Sequence, residues 1–223
     1  MSTAGANIVR SRKSYRRFDP NRPIPDKLLR ELLEDALRSP SWSNTQPWEV
    51  YVVTGAALER LRKSYLETHD RSEPYAPEVP MPQTWPEDLQ DRSRRNSIRL
   101  FENVGIARED QEARAANWRN NFQFFNAPAL AILCQDRTLT EWSIMDLGTF
   151  GGYLMLAAEQ HGIQSVPAFS SVAYPKLLRA ELDIPEHLLI RTGILLGYAE
   201  ENHPYNRHVS EREPLERLVH FKQ

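Results

Sequence analysis

Three short apolar or β-branched runs, set among segments of helical periodicity, predict a single core that mixes helices and strands. The stretch from Trp142 to His161 predicts a buried helix at its centre, because between Ile144 and Ala158 only Asp146 is charged and apolar side chains fall on nearly every side. At 223 residues the chain suits one large domain, so residues 1–223 are read as one unit with a Pro-rich to helical insertion at about 69–122 and an extended tail at about 204–223.

Near the start, Arg10-Ser11-Arg12-Lys13-Ser14-Tyr15-Arg16-Arg17-Phe18 gathers five cations and two serines. Such a cluster suits a phosphate or another anion, and equally a solvated basic face. Pro23-Ile24-Pro25-Asp26 opens a helix whose apolar positions Leu28, Leu29, Leu32, Leu33, Ala36 and Leu37 recur at the 3.6-residue period, with Asp26 as N-cap and Ser39-Pro40 as its stop. The polar turn Ser41 to Trp48 holds two indoles and either presents amides and hydroxyls to a ligand or simply connects. Val50 to Val53 reads as the first buried strand, and Gly55 starts a helix reaching about Glu67.

From His69 to Pro86 the prolines stand too close for a regular element, and Asp88 to Asn117 follows as charged, helical surface segments ending at Trp118, Phe122, Phe124 and Phe125. An extension of this kind lies over a pocket as a lid or wraps a partner. Ala129 to Cys134 is the second strand. Gly148, Gly151 and Gly152 share one side of the central helix, each less favourable than Ala by roughly 0.8 to 1 kcal/mol, which implies close approach of a neighbouring helix or of the same helix in a second copy. Gly162 caps that helix, and Ile163 to Ser171 leads out as an apolar turn rich in hydroxyls. Tyr174-Pro175 opens a short helix through Leu182, Leu188 to Leu196 forms a third strand, and the tail ends in an apolar tip at Leu218, Val219 and Phe221 that needs somewhere to dock.

Charged residues make up 26% of the chain at a formal net charge of -2, so no bulk field favours nucleic acid or an anionic membrane. Cys134 is the only cysteine, which excludes an intrachain disulfide and a cysteine-built metal site. The six histidines lie far apart, and no metal site is expected. The N-terminus lacks the apolar region of a signal peptide and no apolar run reaches a membrane span, so a cytoplasmic location is expected. No strand is followed by the glycine fingerprint of a dinucleotide fold, and phosphate-loop and hydrolase-nucleophile motifs are absent. An enzyme so equipped would hold a cofactor that carries the chemistry.

Four motifs in order carry a resemblance: Arg12-Lys13-Ser14-Tyr15-Arg16; Ser39-Pro40-Ser41-Trp42-Ser43-Asn44-Thr45-Gln46-Pro47-Trp48; Asn121-Phe122-Gln123-Phe124-Phe125-Asn126-Ala127-Pro128; and the ending from Asn206 to Phe221. Over about Asn7 to Phe221 the chain resembles the FMN-dependent nitroreductase family, and within it the branch that includes nitrobenzoate reductases. The resemblance implies an α+β fold with a central, mainly antiparallel sheet flanked by helices. It also implies an intertwined homodimer with exchanged C-terminal tails and two FMN sites at the subunit interface.

By position, the resemblance assigns Arg12, Lys13, Ser14 and Arg16 to the ribityl chain and phosphate of FMN. It assigns Pro40, Ser41, Trp42 and Asn44 to a segment contributed by the other subunit, and Asn121 to the pyrimidine edge of the ring. Pro167, Ala168, Phe169 and Ser170 would lie along the isoalloxazine, with a backbone N–H of Phe169 or Ser170 directed at flavin N5 or O4. Val209 stands where relatives often carry an arginine, so the phosphate is assigned to Arg212 first and Arg207 second. Phe169 stands where some members carry an acidic residue, which leaves a main-chain contact there. Trp42, Trp118, Phe122 and Phe124 would offer faces to a planar substrate.

The implied reaction is ping-pong: NADH or NADPH reduces FMN at N5, leaves, and an electron-poor aromatic such as a nitroarene is reduced in the same slot, with no catalytic side chain of its own. Enone reduction, dehydrogenation, reductive dehalogenation and a non-catalytic flavin-binding role are the alternatives. The expected partners are a small-molecule substrate and a second copy of the chain.

Overall fold

The run Ala129-Leu130-Ala131-Ile132-Leu133-Cys134 is apolar at every position because it is covered on both faces. The computed structural model describes residues 7–222, and in it this run is a strand, β2 (Ala129–Asp136), buried through Gln135. Alternate side chains point opposite ways. Leu130, Ile132 and Cys134 enter one apolar cluster, and Ala129, Ala131 and Leu133 enter the other. β2 is flanked by β1 (Glu49–Thr54) and β4 (Leu188–Gly197), and β3 (Gln164–Pro167) closes the sheet in the order β1-β2-β4-β3. Every neighbouring pair is antiparallel.

Helices cover the two faces. On one side lie α2 (Asp26–Ala36) and the central helix α6 (Glu141–Gln160), which bury Leu32, Leu147, Phe150 and Leu154 against the sheet. On the other side α3 (Gly55–Asp70), α5 (Gln111–Phe122) and α7 (Pro175–Leu182) contribute Leu58, Leu61, Tyr65, Phe122 and Leu178. Truncating a fully buried leucine such as Leu154 to alanine in such a core costs about 2 to 5 kcal/mol. The charged α4 (Glu87–Val104) has no buried residue and lies outside these layers. Three four-residue helices complete the set: α1 (Ile8–Ser11), α8 (Pro204–Arg207) and α9 (Leu215–Leu218).

Several expectations change. Asp26 is the first helical residue rather than the N-cap; Pro25 occupies the cap position and no side chain caps the helix. Residues 164–167 form a fourth strand where a turn was expected, since two polar residues and a proline in four positions leave no periodicity to read. The glycine at the end of α6 behaves as expected: Gly162 adopts φ 73°, and the Ile163 N–H donates back to Ala158 O at 2.8 Å. The burial of α6 is one-sided within the chain. Trp142, Ile144, Met145 and Tyr153 are 40 to 61% exposed, and Cβ atoms built at Gly148 and Gly152 would meet nothing within 4 Å. Only Gly151 is approached, by the side chains of Ile194 and Leu133. The reading of the N-terminus as lacking a signal region concerns residues 1–6 in part, which lie outside the described residues.

Candidate functional site

The basic segment after α1 is held in extended form along the edge of the sheet. The Tyr15 N–H donates to Ser165 O at 3.2 Å, Ser14 bridges to Ser165, and the N–H of Asp19 donates to Tyr198 O at 2.9 Å. The fully buried Asn206 at the other end of the chain braces it. Asn206 Oδ1 accepts the Arg16 N–H at 2.8 Å, and its Nδ2 donates to the carbonyls of Arg17 and Glu200 at 2.6 and 3.0 Å. Its own carbonyl accepts Lys13 Nζ at 2.5 Å. Asn206 thus fastens the two termini of the polypeptide to each other.

A cleft of about 400 Å³ opens between them, lined by Val9, Arg10, Arg12, Lys13, Ser14, His208, Val209, Ser210 and Arg212. Among the described residues, its cations have no carboxylate partner: Arg212 donates only to the carbonyls of Ser210 and Glu211, and Lys13 to that of Asn206. The neighbouring groove is the opposite case. There Arg92, Arg95 and Arg99 of α4 are neutralised by Glu213 and Glu211, with Arg95 to Glu213 at 2.9 Å. Desolvation raises the Glu213 pKa, but Arg217, Arg95 and Arg92 outweigh it and leave the carboxyl below its ordinary value. Unpaired cations around a concave space attract an anion, and guanidinium groups suit phosphate by their planar paired donors.

His208 is buried beside this cleft. Its Nδ1 meets Asn103 Nδ2 at 3.0 Å and its Nε2 meets Asn96 Oδ1 at 3.1 Å, so an amide donor faces one ring nitrogen and an amide acceptor the other. That pairing fits the neutral ring protonated on Nε2. Burial lowers its pKa, and Arg16 and Arg99 lower it further. The histidine ties the tail to α4 in its uncharged form.

Ser14 faces Ser165, and two residues on, roughly 7 Å along an extended strand, the chain reaches Pro167. Pro167 is exposed, Ala168 and Ser170 are buried and Phe169 is half-buried. Position 193 must be glycine for this turn to sit on β4, since a Cβ there would collide with Ser171 Oγ, and the Ala168 N–H donates to Gly193 O at 3.0 Å. The N–H groups of Phe169 and Ser170 open the short helical turn Phe169–Val172 without an acceptor among the described residues. Asn121 is brought to the same turn, its carbonyl accepting from Ser170 Oγ at 3.0 Å, while its side-chain amide donates back into α5.

Other residues singled out in the sequence are placed elsewhere. Pro40, Ser41 and Trp42 line a separate cleft with Trp142, Met145, Asp146 and Thr149, sharing no residue with the basic one. Asn44, exposed in the same turn, adopts a positive φ of 56°, as do Ser43 and Gln46 at 50° and 49°. Asp146, the lone charge between Ile144 and Ala158, holds this turn by accepting the Trp42 N–H at 3.2 Å on both oxygens. Arg16 does not line the basic cleft; the residue is half-buried, its Nη1 is buried without a partner among the described residues, and burial lowers its pKa. Arg207 is exposed and outside the cleft lining.

Phe122 and Phe124 are corrected: both are fully buried core residues. Phe122 stacks on His69 at 4.2 Å and on Tyr75 at 5.3 Å, and Phe124 packs on Tyr65 at 4.9 Å. Their faces are taken by the protein, because α5 docks on α3 instead of standing off as a free lid. Trp118 is 46% exposed and remains available. Sequence reasoning missed Asn206 and His208 as fasteners and Tyr75 altogether; only Asp146, the one charge between Ile144 and Ala158, announced itself.

Residues 9–198 match the family model described as "Nitroreductase family". The chain belongs to the nitroreductase family. It is 33% identical over 221 residues to a nitrobenzene nitroreductase of Ectopseudomonas oleovorans, covering 96% of this chain and 95% of the relative. It is 32% identical to a 4-nitrobenzoate reductase of Nocardioides sp. (strain LMS-CY), covering 96% and 88% respectively. The solved structure of the FMN-dependent nitroreductase NfnB from Mycobacterium smegmatis in complex with NADPH superposes with a TM-score of 0.92 at 30% identity, over 99% of this chain and 98% of that one. No helix among the described residues is long and apolar enough to cross a membrane.

Proposed function

We propose that this nitroreductase-family protein binds FMN and uses NADH or NADPH to reduce nitroaromatic or similarly electron-poor planar compounds. The observation that carries the reading is the cleft of cations without carboxylates, joined along one strand edge to a turn with free backbone donors. FMN, when bound, supplies two-electron transfer between the nicotinamide and the aromatic acceptor. For the first two-electron step, NAD(P)H, one proton and a nitroarene become NAD(P)+, a nitrosoarene and water.

The chain's residues fit that cofactor. Arg12, Lys13, Ser14 and Arg212 hold the phosphate, and Arg212 takes precedence over Arg207 because it alone of the two lines the cleft. The unpartnered, buried Arg16 Nη1 supplies a donor toward the ribityl chain. Pro167, Ala168, Phe169 and Ser170 flank the ring, with Asn121 at its edge. Fixed main-chain N–H donors there stabilise negative charge without reorganising. Trp118 from this chain and Trp42 from a second copy offer faces to the substrate.

The homodimer is part of the same proposal. The exposed apolar side of α6 with its open glycines, and the exposed Leu215, Leu218 and Phe221 of the tail, are surfaces that a second copy would cover. The separation of the Trp42 cleft from the phosphate cleft within one chain supports contribution of Pro40, Ser41, Trp42 and Asn44 across that interface. A nicotinamide-driven reaction accords with a cytoplasmic location. The test is an anaerobic titration: purified protein is expected to be yellow, to bleach with NADH or NADPH, and to regain colour on adding nitrobenzene. Colourless protein that takes up no added FMN would refute the reading.

A further inference from the structure

The proline-rich stretch after α3 is not a loose flap where it passes the candidate site. The Ala76 N–H donates to Ala173 O at 3.0 Å, directly behind the Phe169–Val172 turn. Two residues on, the half-buried Glu78 carboxylate receives Arg179 at 2.6 and 3.0 Å and the Ile190 N–H at 2.8 Å. Tyr75 is therefore held over the turn. Its ring stacks on Phe122 at 5.3 Å and 18°, and meets Phe169 edge-on at 6.2 Å and 81°. It stays 39% exposed.

The hydroxyl is oriented as well. Trp118 Nε1–H donates to Tyr75 Oη at 2.9 Å, which occupies an acceptor site on that oxygen and leaves the phenolic proton to donate elsewhere. Among the described residues it has no acceptor. Burial pushes the neighbouring Tyr174 up to about 12, so that phenol stays neutral beside it.

We propose that Tyr75 is a specificity-determining residue of the substrate slot: held by Trp118, it donates its O–H to an oxygen of the bound aromatic acceptor, a nitro oxygen above all. This rests on the flavin reading above, which puts the ring beside Phe169. As the nitro group accepts two electrons, negative charge grows on its oxygens, and one leaves as water after taking up two protons. A donor fixed by two aromatic contacts strengthens as that charge develops, so it favours the transition state over the ground state.

Tyr75→Phe keeps the ring stacks and removes only the donor; Trp118→Phe removes the group that orients it. Both are compared with wild type for flavin absorbance, bleaching by NAD(P)H, binding of nitrobenzene to the oxidised protein, and turnover with nitrobenzene or ferricyanide, an electron acceptor that needs no directed hydrogen bond. For Tyr75→Phe the expected result is kcat with nitrobenzene lower by about 10- to 100-fold, with nitrobenzene Kd, bleaching rate and ferricyanide turnover within about threefold of wild type. Trp118→Phe is expected to show a smaller loss of kcat with nitrobenzene, with bleaching rate and ferricyanide turnover again within about threefold of wild type. Nitrobenzene turnover equal to wild type in Tyr75→Phe, or an equal loss toward ferricyanide, would overturn the proposal. Absence of flavin and of bleaching in the wild type would overturn the flavin reading, and this proposal with it.

Discussion

Replacing Asn206 by alanine tests whether the two termini depend on a single buried amide to form the basic cleft. The side chain makes three hydrogen bonds, accepting from the Arg16 N–H at 2.8 Å and donating to Arg17 O and Glu200 O at 2.6 and 3.0 Å. At about 0.5 to 1.5 kcal/mol each, their loss amounts to roughly 2 to 4 kcal/mol, and Asn206 is fully buried, so water does not readily replace them. In a chain of this size each kcal/mol moves Tm by about 2 to 4 °C, so thermal unfolding followed by circular dichroism should show a drop of roughly 4 to 16 °C. FMN affinity, read by quenching of flavin fluorescence, should fall more than about tenfold, because the register of Lys13 to Arg16 against Ser210 to Arg212 is no longer fixed. Asn206→Asp keeps the acceptor for Arg16 but turns a carboxylate toward two carbonyls, and should be at least as damaging. A Tm within about 1 °C of wild type together with unchanged FMN affinity would refute the bracing role.

Arg212→Ala should weaken FMN binding by about 10- to 100-fold, the loss of a charge-assisted contact, while Arg207→Ala stays within about twofold; equal effects would refute the placement of the phosphate. The pKa of His208 is lowered from 6.5, so its neutral ring contributes stability fully above about pH 6.5, and that contribution is lost as pH falls below this value toward the lowered pKa. Compared with His208→Gln, wild type should therefore lose Tm between about pH 7 and pH 5, and a pH-independent difference between the two would contradict the neutral, Asn96- and Asn103-paired ring. Gly148→Leu adds a side chain to open space within one chain and should give folded protein that elutes at half the mass of wild type. Gly151→Val, whose Cβ would lie 3.4 Å from Ile194 Cδ1 and 3.5 Å from Leu133 Cδ1, should instead destabilise the fold by about 1 to 3 kcal/mol; a Gly148→Leu protein that stays at the wild-type mass would argue against contact between copies on that face.

The periodicities were enough to place α2, β1, β2, α6, α7 and β4, because each element's own side chains decide whether its face or its whole surface is apolar. The short β3 stayed hidden, since Gln164, Ser165 and Pro167 pair with β4 for reasons that lie in Gly197, Leu196 and Ile194. Phe122 and Phe124 were legible as aromatics at the end of a charged segment, but which side they face depends on α5 docking against α3, and that left Trp118 outside and the two phenylalanines inside.

The cations of the first motif and the arginine of the last were both visible as candidates for phosphate. Their meeting was not. Some two hundred residues separate Lys13 from Arg212, and it is the sheet edge at Ser165, the buried amide of Asn206 and the paired ring of His208 that bring them to one cleft. By itself the sequence determined the longer elements, the family resemblance and the chemistry on offer, because these are properties of single residues and their near neighbours. The convergence of the two ends, the burial of Phe122 beneath Tyr75 and the open face of α6 were decided by tertiary structure alone, because hydrogen-bond partners and ring contacts are chosen in space and leave no period along the chain.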